Sequence, residues 1–146
     1  ALACASHGGE PSHTGTVAGW LETAGLRVED LECGAHWPLH GETARAVAGA
    51  GEAPSAIHNN CSGKHTGFLT TAVHKGEDTK GYVRFEHPVQ QRILGVLEAM
   101  CGIDLGRAPR GVDGCAVPTI AIPLENLAWG MARFAAPDEL AAAAVV

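Results

Sequence analysis

The chain has 146 residues, 46% hydrophobic and 18% charged, with a formal net charge of -6. These figures suit one domain-sized unit and exclude a collagen repeat, a disulfide-dense mini-protein and a wholly disordered acidic chain. No run approaches the ~20 apolar residues of a membrane-spanning helix, and Lys and Arg are not clustered as nucleic-acid binding requires. With 25 alanines and 19 glycines, much of the apolar content is small, so the core must gain area from close backbone packing.

In chain order, Ala3-Cys4-Ala5-Ser6 predicts a short buried strand that feeds the turn His7-Gly8-Gly9-Glu10-Pro11, where a reactive side chain is readily presented. Ser12 or Thr14 is a candidate cap for a helix bearing Val17, Trp20, Leu21 and Ala24 at helical spacing, with Gly25 as its stop. Leu26-Arg27-Val28 suits a strand, Trp37-Pro38 is irregular, and Gly41 to Gly49 is a short alanine-rich helix. After a loop from Gly51 to Ser55, the second half of Ile57–Leu69 begins a helix that carries Phe68, Leu69, Ala72 and Val73 and ends near Lys75-Gly76. A charged loop, Glu77 to Gly81, leads to the clearest helix, from Pro88, with Val89, Ile93, Leu94, Leu97 and Met100 on one face and Gly102 just past its end. Residues 103–114 are a Gly/Pro/Arg loop. Val117 to Ile122 is a short or edge strand on account of Pro118, Leu124 to Ala135 an amphipathic helix, and Pro137-Asp138-Glu139 a further helix start.

The densest chemistry is His58-Asn59-Asn60-Cys61-Ser62-Gly63-Lys64-His65. Ser62 or Asn60 at a helix start would leave backbone N–H groups free for an anion or a developing oxyanion. Cys61 and Lys64, three apart, share one face of a first turn; a Lys beside a thiol favours the thiolate, and a desolvated Lys serves as a base. The plain alternative is a surface turn with a solvated Lys and an inert Cys. Gly63-Lys64 does not complete a phosphate loop, because His occupies positions 58 and 65. His40-Gly41-Glu42 starts a deaminase-like motif with no Pro-Cys-x-x-Cys to finish it.

Cys115, in Val112-Asp113-Gly114-Cys115, suits a thiolate metal site with Cys61, or is an incidental buried thiol. Asp113 either orients a nearby Lys or His or caps its own turn. Ser6, before Gly8-Gly9, is a candidate nucleophile or substrate ligand, with His7, Glu10 and His13 as supporting groups; the plain reading is a turn serine. His36, His40, His74 and His87 are surface or capping residues, and Cys4, Cys33 and Cys101 small buried hydrophobes. The five cysteines are odd in number and irregular in spacing, which suits a reducing compartment.

Four ordered stretches carry a resemblance: Cys4 to Pro11, His36-Trp37-Pro38, His58 to His65 and Val112 to Cys115. Together they resemble the thermolabile asparaginase II family of the Rhizobium etli type, across essentially all 146 residues. The resemblance implies an α+β fold of serine β-lactamase-like architecture and hydrolysis of L-asparagine to L-aspartate and ammonia, with a Ser-x-x-Lys pair as nucleophile and base. No Ser-x-x-Lys occurs in the sequence. The family's second serine resembles Ser6. Its zinc site resembles Cys61, Lys64 and Cys115 beside Asp113, leaving His7, Glu10, Ser62 and His65 as substrate-binding or supporting groups. A lysine ligand requires a deprotonated amine, which burial and a nearby cation favour.

The first Met is Met100 and the chain ends soon after a helix start, so residues 1–146 are expected to be a partial domain, incomplete at both ends. Alone it is expected to be inactive and marginally stable through exposed sheet edges. The complete protein is expected by resemblance to be a homodimer that takes a small amide, and from its cysteines, charge and hydropathy to be cytoplasmic and to contact neither nucleic acid nor membrane. The alternatives are a glutaminase or other amidase on the same fold, or a non-catalytic zinc- or ligand-binding domain.

Overall fold

The structure, a computed structural model, describes residues 2–136. Among these residues there are five α-helices, two single 3-10 turns and one two-stranded antiparallel sheet, an α+β arrangement dominated by helix.

Helix α1 runs Pro11–Thr23, with proline in its first turn, where no N–H is needed, and Gly25 in the left-handed conformation just past its end. Its cap position falls on Glu10, without a side-chain capping bond, and not on Ser12 or Thr14. The strand expected at Leu26–Val28 is instead a 3-10 turn, Val28–Asp30. Asp30 causes the difference. Its carboxylate accepts the Arg27 N–H at 2.9 Å and holds Lys80 at 3.0 Å, so the chain curls back before it can extend. Helix α2 spans Gly41–Gly49 as the composition predicts.

Helix α3, Ser62–Lys75, follows a 3-10 turn at Ala56–His58 and ends on left-handed Gly76. Helix α4, Pro88–Cys101, starts on His87, whose ring accepts the Val89 N–H, and ends on left-handed Gly102. The core gathers Val17 and Leu21 of α1, Leu69 of α3, Leu31, Cys33, Tyr82, Cys115 and Val117. Full burial of a Leu or Val in such a cluster contributes roughly 1.5–3 kcal/mol.

Strand β1, Arg110–Val112, pairs with β2, Pro118–Ile120, with Gly111 opposite Thr119. The loop expected over 103–114 therefore contains a strand. Its three residues are solvent-exposed, so no hydrophobic alternation announces it. The hairpin closes through Asp113 N to Val117 O and Ala116 N to Asp113 O, both at 2.9 Å. Ala116 holds φ at 73°, the left-handed conformation this turn demands and glycine usually supplies. Ala116→Gly should therefore raise stability by about 1 kcal/mol, read as a higher urea midpoint; an unchanged or lower midpoint would remove strain from the account of this turn.

Helix α5, Leu124–Ala135, packs on α4 through Gly130, where an added Cβ would lie 3.0 Å from Cys101 Sγ. Its Leu124, Leu127, Trp129, Met131 and Phe134 are exposed. The apolar face expected of this helix exists, but it points away from the core.

Two further expectations differ. Ala3 to Ser6 is a turn and bend, not a buried strand, and Cys4 is exposed where a buried thiol was expected. No neighbouring strand pairs with this segment among the described residues; it is tied down through His7 N to Asn60 O at 3.1 Å. The expected helix start at Pro137-Asp138-Glu139 lies outside the described residues. Among those described, no helix is long and apolar enough to cross a membrane.

Candidate active site and metal centre

The amino end of α3 meets the tip of the β1–β2 hairpin. Asn59, buried just before the helix, fixes that end from both sides. Its amide donates to Cys33 O at 2.9 Å and Gly34 O at 3.2 Å, and its oxygen accepts the Cys61 N–H at 2.9 Å. This two-residue reach back to the main chain is an Asx turn, and it sets the orientation of Cys61. Asn59 belongs to the polar cluster singled out in the sequence, yet nothing there marks it above its neighbour Asn60.

Lys64, one turn into α3, points its amine at the hairpin. Nζ lies 3.3 Å from Cys115 Sγ and 3.8 Å from Asp113 Oδ2, and Cys115 Sγ lies 3.6 Å from Asp113 Oδ2. Cys61, at the cap position of α3, packs against the core cluster that contains Cys115 and lines one cavity together with Lys64. Cys61, Lys64, Asp113 and Cys115 are thus brought together from positions about 50 residues apart. Cys33, expected as core filler, is buried in the same core cluster as Cys115, with Sγ donating to Ala56 O at 3.4 Å.

The electrostatics follow from partial burial. Burial alone would push the Lys64 ammonium down, but Cys115, Cys61 and Asp113 together hold it above its ordinary value. Burial pushes the Cys61 thiol up, with Cys115 adding to the rise and Lys64 opposing it. Burial raises Cys33 to about 12, which keeps it a neutral thiol.

Among the described residues, no three His, Cys, Asp or Glu side chains converge to hold a metal. The set reaches three donors only when the Lys64 amine is counted. On that basis the donors fit zinc. The Lys64–Cys115 separation of 3.3 Å is close to the roughly 3.5 Å expected between N and S ligands on a tetrahedral zinc. The condition is that metal displaces protons that the metal-free cluster retains.

Ser6 is exposed and lines a cavity of about 160 Å³ with Ala3, Cys4, Ala5, Asn60, Cys61 and Lys64. Lys64 also borders two larger cavities, of about 390 and 260 Å³, between α3, α4 and the hairpin. The close approach of the Ser6 segment depends on Gly63, where a Cβ would lie 2.5 Å from Leu2 O.

The other candidates lie behind this surface. Ser62, fully buried, donates to Ile57 O at 3.0 Å, so the His7 Nε2–H at 3.0 Å must donate to Ser62 Oγ. His7 Nδ1 accepts the Gly9 N–H at 3.2 Å, which satisfies both ring nitrogens with a neutral imidazole. Burial, and then His13, depress the His7 pKa in keeping with that state. Ser62 and His7 act as a pin between the Ser6 segment and α3, and their proton arrangement leaves no free base. His65 is fully buried against Phe68 and Tyr82, with Nδ1 2.8 Å from the Tyr82 hydroxyl. Glu10 faces His13 at 3.4 Å, at the start of α1 and away from the Ser6 cavity. Tyr82, the chain's one tyrosine, also accepts the Glu32 N–H at 2.8 Å; it sits in a stretch without periodicity, so sequence patterning passes over it.

Among curated proteins, a sequence search finds no match to the chain. Comparison with protein-family models matches residues 1–146 to L-asparaginase II. With the match extending over the whole sequence, including the residues that line the Ser6 cavity and the thiol–amine cluster, the chain belongs to the L-asparaginase II family.

Proposed function

We propose that this chain forms part of an amidohydrolase that converts L-asparagine to L-aspartate and ammonia, on a serine β-lactamase-like architecture of the Rhizobium etli type. The supporting observation is the single cavity that Ser6 shares with Asn60, Cys61 and Lys64. It joins a hydroxyl, a side-chain amide and the cationic cluster at one small opening, the groups needed to receive a zwitterionic amide.

The covalent step belongs to the serine of a Ser-x-x-Lys pair. Ser6, Ser12, Ser55 and Ser62 are followed three residues on by Gly9, Gly15, His58 and His65, so no such pair lies within the 146 residues. In the proposed cycle that serine attacks the side-chain amide, its lysine takes the proton and passes it to the leaving ammonia, and water then hydrolyses the acyl-enzyme. Lys64 is not that base, because its ammonium is engaged by Cys115 and Asp113. Ser6 relays a proton or bonds the developing oxyanion at the cavity mouth. Cys61, Lys64 and Cys115 would hold zinc, which when bound supplies a fixed positive charge for an end of the substrate. Asp113 positions Lys64, and the His7–Ser62 pin keeps the Ser6 segment against α3.

Ammonia release from L-asparagine and L-glutamine, by a polypeptide that includes this chain and a Ser-x-x-Lys pair, tests the reading. We expect release from asparagine, and a fall in kcat of about a hundredfold or more for Ser6→Ala with KM little changed. Near-normal kcat would remove Ser6 from the chemistry. Release from glutamine alone would make the protein a glutaminase. No release from either substrate by a folded protein would favour a binding domain.

A further inference from the structure

Three thiols, Cys33, Cys61 and Cys115, share the core cluster beside Lys64, and Cys61 lines the cavity next to Ser6. Cys61 is half-buried and lines the opening next to Ser6. Cys115 is 3% exposed behind it, on the tip of the hairpin. Cys61 packs against the core cluster that contains Cys115, and the Lys64 amine, three residues on from Cys61, lies 3.3 Å from Cys115 Sγ. Cys33 is also buried, but its Sγ is engaged by Ala56 O at 3.4 Å and it lines no part of the Ser6 cavity. An accessible thiol backed by a second one is the arrangement of an oxidation-sensitive pair.

We propose that Cys61 and Cys115 form a reversible disulfide on exposure to a hydroperoxide, with Cys61 as the attacked thiol and Cys115 as the resolving one. In the first step the Cys61 sulfur attacks the distal peroxide oxygen, the O–O bond breaks, and Cys61 becomes a sulfenic acid as the other oxygen takes the thiol proton and leaves as an alcohol, or as water from hydrogen peroxide. In the second, the Cys115 sulfur attacks the Cys61 sulfur, the S–O bond breaks, and the departing hydroxide takes the Cys115 proton to leave as water. The two thiols lose two electrons and the peroxide gains them. Lys64 stabilises negative charge on either sulfur as it develops.

The hairpin makes the second step feasible. Cys115 sits on a short two-stranded hairpin, an element that adjusts at less cost than a helix packed in the core, so closing the bond leaves α3 in place. The inference rests on the thiol geometry and not on the asparaginase reading. Its consequence reaches that site nonetheless, because a disulfide between these sulfurs leaves Lys64 as the one remaining member of the proposed ligand set.

The distribution of Lys and Arg places each of the five cysteines in a different tryptic peptide, Cys61 in 46–64 and Cys115 in 111–133. The chain is treated with a chelator, then with hydrogen peroxide, in a Cys4→Ser background that removes the exposed thiol. It is then blocked with an alkylating agent, digested without reductant and analysed by mass spectrometry. We expect peptides 46–64 and 111–133 to be recovered joined, two hydrogens lighter than their sum, and to separate on adding dithiothreitol. Recovery of Cys61 as sulfinic acid with an alkylated Cys115, or of either peptide joined to the Cys33 peptide in its place, would overturn the proposal. Mapping the cross-link needs no change to Cys61 or Cys115, so it does not depend on variants of those residues folding.

Discussion

Zinc affinity at the proposed site should climb about a thousandfold for each pH unit between roughly pH 6 and 8, because three ligand protons, from Cys61, Cys115 and Lys64, must leave for each metal bound. Two of the groups carrying those protons, Cys61 and Lys64, are shifted in the direction that retains them. Burial raises the Cys61 thiol, and in Lys64 the pull of Cys115, Cys61 and Asp113 outweighs burial to raise the ammonium. Below their pKa values, each proton displaced contributes about tenfold per pH unit, so lowering the pH weakens binding and raising it strengthens binding. Competition with a chromophoric chelator at several pH values measures the slope. Lys64→Arg is the most informative variant, since a guanidinium keeps the charge but does not give up its proton in proteins. We expect it to reduce affinity and remove one of the three protons from the slope. Cys115→Ser should cost about a hundredfold or more, above what loss of an outer-sphere partner costs. A slope near zero, or full affinity in Lys64→Arg, would remove Lys64 from the metal site.

The second large effect is acid destabilisation centred on His65. This ring is fully buried, and burial, followed by the adjacent Lys64 charge, lowers its pKa to about 4. The Tyr82 hydroxyl oxygen accepts the Glu32 N–H, so its own proton is free to be donated to His65 Nδ1, a network built for the neutral ring. In the unfolded chain the ring returns to its ordinary value near 6.5. The unfolded state therefore binds more protons between these limits. The contribution is fully present above about pH 6.5 and is lost as the pH falls toward 4, a total of about 3 kcal/mol. His7, also held below its ordinary value, acts in the same direction. Urea midpoints measured at pH 7 and 4.5 should differ accordingly, and the difference should shrink in His65→Gln. Equal midpoints at the two pH values would show that His65 is not held neutral by the fold.

The helices were legible in the sequence because each carries both a periodic face and its own punctuation. Pro88 and Gly102 bracket α4, Gly76 ends α3, and α2 lies between Gly41 and Gly49 as read. Of the extended segments, only the short strand read at Val117–Ile122 was legible, as β2, Pro118–Ile120. Ala3 to Ser6 has the composition of a buried strand but no strand to pair with among the described residues, and β1 was hidden in a Gly/Pro/Arg loop because every one of its residues faces solvent. At the site, the Cys61–Lys64 spacing was readable from local helix geometry. That Cys115 and Asp113 join this group was one of several open readings of their residue types, and resemblance singled it out, since spacing carries no information about a hairpin docking half the chain away. Asn59, Tyr82 and Cys33 were passed over for a related reason. Their roles are hydrogen bonds and proximities to main chain and side chains 17 to 50 residues distant.

The hairpin that delivers Cys115 is the least reinforced element around the cluster. It has two three-residue strands, one of them wholly exposed, and a turn held against its preference at Ala116. Isolated two-stranded ribbons are marginal in water, so local opening of this hairpin costs far less than unfolding α3 or the core beneath it. The thiol–amine cluster therefore persists only as long as its flimsiest member stays docked. Whatever bridges Cys115 to Cys61 or Lys64, whether an ion or a covalent bond, serves as the clasp that turns a breathing ribbon into a fixed wall of the cavity.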